Sequence, residues 1–165
     1  MGYKTQNRFK FRGLNEGKWY YGAYLKHLPY TPYCCDKIPP EKDYKHLIIR
    51  DSFSDWGLPR NITCIEVEKD TVGECTGLKD KNGVLIWEGD IVKLNNRLLI
   101  IRHQEENACF APQYFTFNKE TKEIDYAGRL WFDDYDSDEY DLHKSSSFEV
   151  VGNIHQNKDL LESNV

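Results

Sequence analysis

A mainly β protein built on a small barrel is the fold class this sequence predicts, and three observations predict it. Aromatic residues make up 14% of the 165 residues, including 11 Tyr and 4 Trp, enough bulk for a packed core despite 30% charged residues. No stretch before residue 156 repeats its apolar positions at helical spacing over three turns. The segment Thr76–Leu94, TGLKDKNGVLIWEGDIVKL, reads as a hairpin followed by a kinked strand.

That segment organises the rest. Asn82-Gly83 supplies two residues that tolerate positive φ, as a tight two-residue hairpin turn requires. Val84, Ile86 and Val92 are β-branched strand formers, and Trp87 adds a large apolar body. Glu88-Gly89-Asp90 interrupts the run with a polar, glycine-centred bend. Asp80, Glu88 and Asp90 flank the hairpin and invite a reading as a carboxylate cluster. Acids in turns more often bond backbone N–H groups, so Asp80 is expected in the turn and Glu88 and Asp90 at the bend.

Upstream, Arg8–Arg12 alternates, with Phe9 and Phe11 on one face and Arg8, Lys10 and Arg12 on the other. Gly13–Gly17 is turn chemistry, and Lys18–Leu25 forms the second strand of a hairpin. The basic residues together with Trp19, Tyr20 and Tyr21 match a stacking surface for single-stranded nucleic acid. They equally match a solvated face opposite a packed one, and the acidic total favours that plainer reading. His27–His46 holds four of the six prolines and reads as a long surface loop. It also contains His27, Cys34, Cys35 and His46. Adjacent cysteines do not fit the spacing at which two thiolates turn toward one zinc ion, so no metal site is expected.

Leu47–Ile49, Ile62–Val67 and Thr71–Cys75 are short strand candidates, with Ser52–Pro59 as a loop. Leu98–Ile101 is a continuous apolar run, as in a strand covered on both faces. Pro112 interrupts Phe110–Phe117 and suggests an edge or a bulge. Ile124–Phe132 and Phe148–Ile154 complete the strands. Asn157 is placed to cap a short terminal helix that docks Leu160-Leu161. Between them, Asp133–Asp141 is densely acidic. The spacing Asp134-x-Asp136-x-Asp138 resembles the start of a calcium loop, but Glu139 replaces the turn glycine and Ser145 the bidentate Glu. The run reads as a solvated charge segment or an acidic surface for a basic partner.

The totals bound the function. The chain suits one ordinary core or two barrel-sized units, read here as residues 1–70 and 71–165. A formal net charge of −5 disfavours nucleic-acid binding without a local basic patch. Five cysteines cannot all pair within one chain, and the N-terminus lacks the apolar core of a signal peptide, so thiols in a reducing cytoplasm are expected. No apolar run approaches the roughly 20 residues of a membrane span.

Phe11-Arg12-Gly13 with Lys18–Gly22, Thr76–Val92, and Val150–Leu161 (VVGNIHQNKDLL) together resemble the YopX family of small proteins encoded by phages and prophages of Gram-positive bacteria. Cys75 and His155 stand where the family often carries aromatic residues, both packing-type changes. The resemblance implies an SH3-like barrel around Thr76–Ile154, preceded by a smaller β-containing region. It carries over no catalytic residues. The sequence itself shows no nucleophile elbow, phosphate-binding glycine loop, dinucleotide fingerprint or H-E-x-x-H. The expected function is therefore a phage accessory protein that binds a protein partner or a second copy of itself, without catalysis or a cofactor. Trp19, Tyr20, Trp87, Asp134, Asp136 and Asp138 are its candidate contact residues. The alternative is nucleic-acid binding through Arg8–Arg12 or Arg97–His103.

Overall fold

The computed structural model describes residues 10–31, 38–52, 61–129 and 147–162. Among these residues it is mainly β, with the strand pairing antiparallel throughout and one short α-helix. The chain divides into two compact units, Met1–Glu74 and Cys75–Val165.

In the first unit, β1 (Phe11–Asn15) and β2 (Lys18–His27) form a hairpin whose two-residue loop is Glu16-Gly17. Both loop residues take positive φ, 49° and 77°, the mirror-image geometry that matches the twist of the flanking strands. The expected turn at Gly13–Gly17 is thus shorter than read, because Gly13 and Leu14 pair with Tyr20 and Trp19. β3 (Lys45–Ser52) and β4 (Asn61–Glu66) extend the ladder in the order β4-β3-β2-β1. On the other side of β1, Gly73 and Glu74, the opening of β5 (Gly73–Lys79), pair with Arg12 and Phe11. A 3-10 turn at Lys69–Thr71 fastens this region: the Leu14 N–H donates to Thr71 Oγ1 at 2.8 Å, and the Thr71 hydroxyl donates to the Glu68 carbonyl at 2.7 Å.

The face that carries Ile48, His46 and Tyr24 is the packed one; Ile48 is fully buried. Gly22 belongs to it because a Cβ there would run into the Ile49 carbonyl oxygen. Arg12 corrects the expected alternation. It is only 5% exposed, and its guanidinium lies 4.5 Å from the centre of the Trp19 ring. With its guanidinium over the ring and little surface exposed, this arginine packs rather than faces solvent.

In the second unit, the rest of β5 pairs with β6 (Leu85–Trp87). A five-stranded sheet follows in the order β10-β9-β8-β7-β11. Its strands are β7 (Asp90–Leu94), β8 (Arg97–Gln104), β9 (Cys109–Asn118), β10 (Glu123–Arg129) and β11 (Glu149–Asn153). No described pairing joins β10 to β11.

Both faces of this sheet are covered, as the unbroken run Leu98–Ile101 predicts. Val92, Leu94, Leu99, Ile101, Ile86 and Phe148 pack on one side, and Ile91, Ile100, Phe115 and Leu161 on the other. Leu161 comes from α1 (Lys158–Glu162), the expected terminal helix. Pro112 sits in an interior strand, not an edge, opposite Ile101. The β9–β10 ladder bulges between Tyr126 and Arg129. Its last described pair, Gln113–Arg129, stops one residue short of Pro112, so no described neighbour needs the missing N–H.

Candidate interaction surface

The signature hairpin is built by side chains that bond backbone. Its turn differs from the expected two-residue form. The Gly83 N–H donates to the Asp80 carbonyl at 3.0 Å and the Asp80 N–H to the Val84 carbonyl at 2.8 Å, which makes Lys81-Asn82-Gly83 a three-residue loop. Only Gly83 takes positive φ, 80°, while Asn82 does not. The Asp80 carboxylate explains the change: one oxygen accepts the N–H groups of Asn82 and Val84, both at 2.8 Å, and the other accepts the Val150 N–H at 3.0 Å. Burial pushes this carboxyl up, but the bonds from Val150, Val84 and Asn82 outweigh it and hold the group below the ordinary carboxylate range.

Asp90, 1% exposed, accepts the Trp87 N–H at 2.8 Å, and Glu88 accepts the His103 N–H at 3.3 Å. The carboxylates therefore shape the backbone, as their positions predict. Thr76 does the same, donating to the Ile86 carbonyl at 2.8 Å and accepting the Leu78 N–H at 3.1 Å.

Two polar groupings offer chemistry. In the first unit, Tyr24 Oη lies 2.7 Å from His46 Nδ1, and His46 Nε2 lies 3.6 Å from Glu41 Oε1, beyond hydrogen-bond reach. Lys26 donates to the other Glu41 oxygen, and Lys69 Nζ lies 3.5 Å away. Hydrogen bonding to Lys26 holds the Glu41 carboxyl low and the Lys26 ammonium high. Burial pushes the Tyr24 phenol up, the opposite of what a phenolate nucleophile needs. The Lys26–Glu41 bond therefore ties the 3-10 turn Glu41–Asp43 to β2, while Tyr24 and His46 bond each other across β2 and β3.

In the second unit, an open groove of about 460 Å³ is lined by Arg102, His103, Gln104, Gln113, Tyr126 and Gly128. The Arg102 guanidinium already lies over the Tyr126 ring at 4.3 Å. Arg97 likewise donates to Tyr114 Oη at 3.1 Å. The cations of the Arg97–His103 strand thus stand against the chain's own tyrosines.

The expected contact residues fall in different places. Trp87 is buried at 7% exposure, a correction to its reading as a surface anchor: β6 turns its ring into the core. Trp19 and Tyr20 are half-buried on opposite faces of β2. Arg12 covers Trp19, while Lys18 and Arg50 lie 5.5 Å and 5.8 Å from the centre of the Tyr20 ring. Asp134, Asp136 and Asp138 lie outside the described residues, as do Arg8, Phe9, Cys34 and Cys35. Among the described residues no group of His, Cys, Asp and Glu is arranged to hold a metal ion, and no helix is long and apolar enough to cross a membrane.

What the structure assembles instead is an apolar face on the first unit. Strand register places Ala23 against Ile49, Leu25 against Leu47, and Ile49 against Cys64. Side chains on one side of a strand recur every two residues, so Tyr21, Leu25, Leu47, Ile49, Ile62 and Cys64 share this face, with the Lys45–Glu66 ion pair and Asp51 at its margins. Tyr21 is 47% exposed, Leu25 41% and Ile62 69%. The opposite face carries the buried Ile48 and His46. The signal for this face lay in Leu47-Ile48-Ile49, apolar at both parities.

No curated protein matches this chain. A family model described as YopX protein matches residues 10–162, most of the chain, and the protein belongs to the YopX family.

Proposed function

We propose that this protein is a non-catalytic interaction module of phage or prophage origin, working in the host cytoplasm and docking protein through the apolar face of β2, β3 and β4. The observation that carries the reading is that face, where Tyr21 and Leu25 on β2 and Ile62 on β4 are each more than 40% exposed on either side of β3. Large apolar groups gathered on one open sheet face are the usual material of a protein contact. The residues that define the family signature support it from the other side. Asp80, Asp90 and Thr76 are each engaged with backbone groups. We further read the second unit as an SH3-like barrel. Its antiparallel strands and the bulges at Val150/Gly152 and Tyr126/Arg129 support that reading, because bulges bend a sheet toward closure.

The test is capture of partners from host lysate by the tagged full chain, with and without nuclease, beside Leu25→Glu and Ile62→Lys. The expected result is a bound protein that survives nuclease and is lost with both variants. Binding that nuclease abolishes, and that collapses as salt rises, would transfer the role to nucleic acid.

A further inference from the structure

Among the described strands β4 ends the ladder of the first unit, and from Asn61 to Ile65 it lacks the devices that usually blunt an edge. Among the described residues it pairs with β3 alone. Its six pairs, from Leu47–Glu66 to Ser52–Asn61, run without a bulge. From Asn61 to Ile65 it contains no charge and no proline. Natural sheets protect edges with lysines, prolines, bulges or very short strands, because an unpaired row of N–H and C=O groups templates another strand. The edges of the second unit's sheet show such protection. β10 carries Glu123 and Asp125 and ends in a bulge, and β11 is bulged between Val150 and Gly152.

Resting on the interaction-module reading, we propose that the occupant is a second copy of this chain, with the two β4 strands paired antiparallel about a two-fold axis at Thr63. A two-fold normal to the sheet keeps like faces together, so each residue must oppose one of its own parity. Centred on Thr63, the pairing sets Thr63 against Thr63, Ile62 against Cys64 and Asn61 against Ile65. Thr–Thr and apolar–apolar cross-strand pairs are favourable ones. No like charges meet, and Glu66 is already neutralised by Lys45 at 2.8 Å. Moving the centre to Cys64 would set Ile62 against the Glu66 carboxylate. The Thr63 register also continues the apolar face across the axis, since Ile62 and Cys64, both exposed, alternate between copies. A ladder this short lies at the small end of specific interfaces, so association is expected to depend on concentration.

The register gives the test. In the full chain with Cys34, Cys35 and Cys109 replaced by Ser, Ile62→Cys faces the native Cys64 of the other copy. Directly opposed Cβ atoms in an antiparallel pair stand about 4.5–5.5 Å apart. Mild oxidation should give a covalent dimer, with peptide mapping showing residue 62 linked to residue 64 of the second chain. Adding Cys64→Ser should abolish it. In light scattering of the unmodified chain, mass should rise with concentration, and Ile62→Lys should weaken the dimer about tenfold or more by placing charge on the edge. The proposal is overturned by a monomer at every concentration, or by a crosslink that persists when Cys64 is Ser. A monomer that still captures a lysate protein through Leu25 and Ile62 would overturn self-pairing and leave the interaction module standing. A monomer that captures nothing would remove both.

Discussion

Asp80 shows how one side chain can decide a local structure. Its carboxylate accepts three part-buried backbone N–H groups, and Asp80→Ala removes the partner of all three. Such a loss should cost about 1–3 kcal/mol, read from the midpoint and slope of urea unfolding. Its folded pKa lies below the unfolded value. The stabilisation is thus fully present above the unfolded carboxylate pKa of about 3.9 and is lost as pH falls through the lower folded value. Unfolding measured between pH 7 and pH 2 should show this acid loss, and Asp80→Asn should remove that component. Gly83→Ala, at φ 80°, should cost about 1–2 kcal/mol by the same measurement, because a Cβ strains the left-handed region. The turn was half legible. Asn82-Gly83 located it, but its type was set by a carboxylate bridging to Val150, a partner 70 residues away that local pattern does not reveal.

Strands were the most legible level, because β-branched and aromatic runs between turn residues signal them directly. Leu98–Ile101 and the terminal helix stand where their apolar residues placed them. Arg12 and Pro112 did not follow pattern: an aromatic ring covers the Arg12 guanidinium, and Pro112 stands in an interior strand, beyond the last described β9–β10 pair. The apolar face was the least legible, since alternation says which residues share a side but not whether anything covers it. For α1, Leu161 is 2% exposed against Ile91, Ile100 and Phe115. Leu161→Ala should therefore cost about 2–5 kcal/mol in thermal or urea unfolding. A cost under about 0.5 kcal/mol would show that the helix is not docked.

Thiol chemistry reads the whole molecule at once. Cys64 and Cys109 are exposed and Cys75 is buried. In a variant with Cys34 and Cys35 changed to Ser, a thiol reagent should label two cysteines quickly in the folded protein and the third only on unfolding. If Cys64 pairs across a dimer edge, its labelling should slow as protein concentration rises while that of Cys109 stays constant. A Cys64 rate independent of concentration would argue against the edge contact.

The strand order of the second unit has a consequence for synthesis. β7 lies between β8 and β11, so one of its edges stays open until β11 has left the ribosome. The Asp80 carboxylate likewise waits for Val150. Hairpins β7–β8 and β8–β9 join near neighbours in sequence and can form early, whereas the β7–β11 ladder is a late, non-local closure. A nascent chain stalled before Phe148 would hold β7 with an unpaired edge and Val92 and Leu94 without Phe148 over them. Termination before Phe148 should therefore leave the second unit aggregation-prone, and Phe148, β11 and α1 act as the step that commits that unit to its final form.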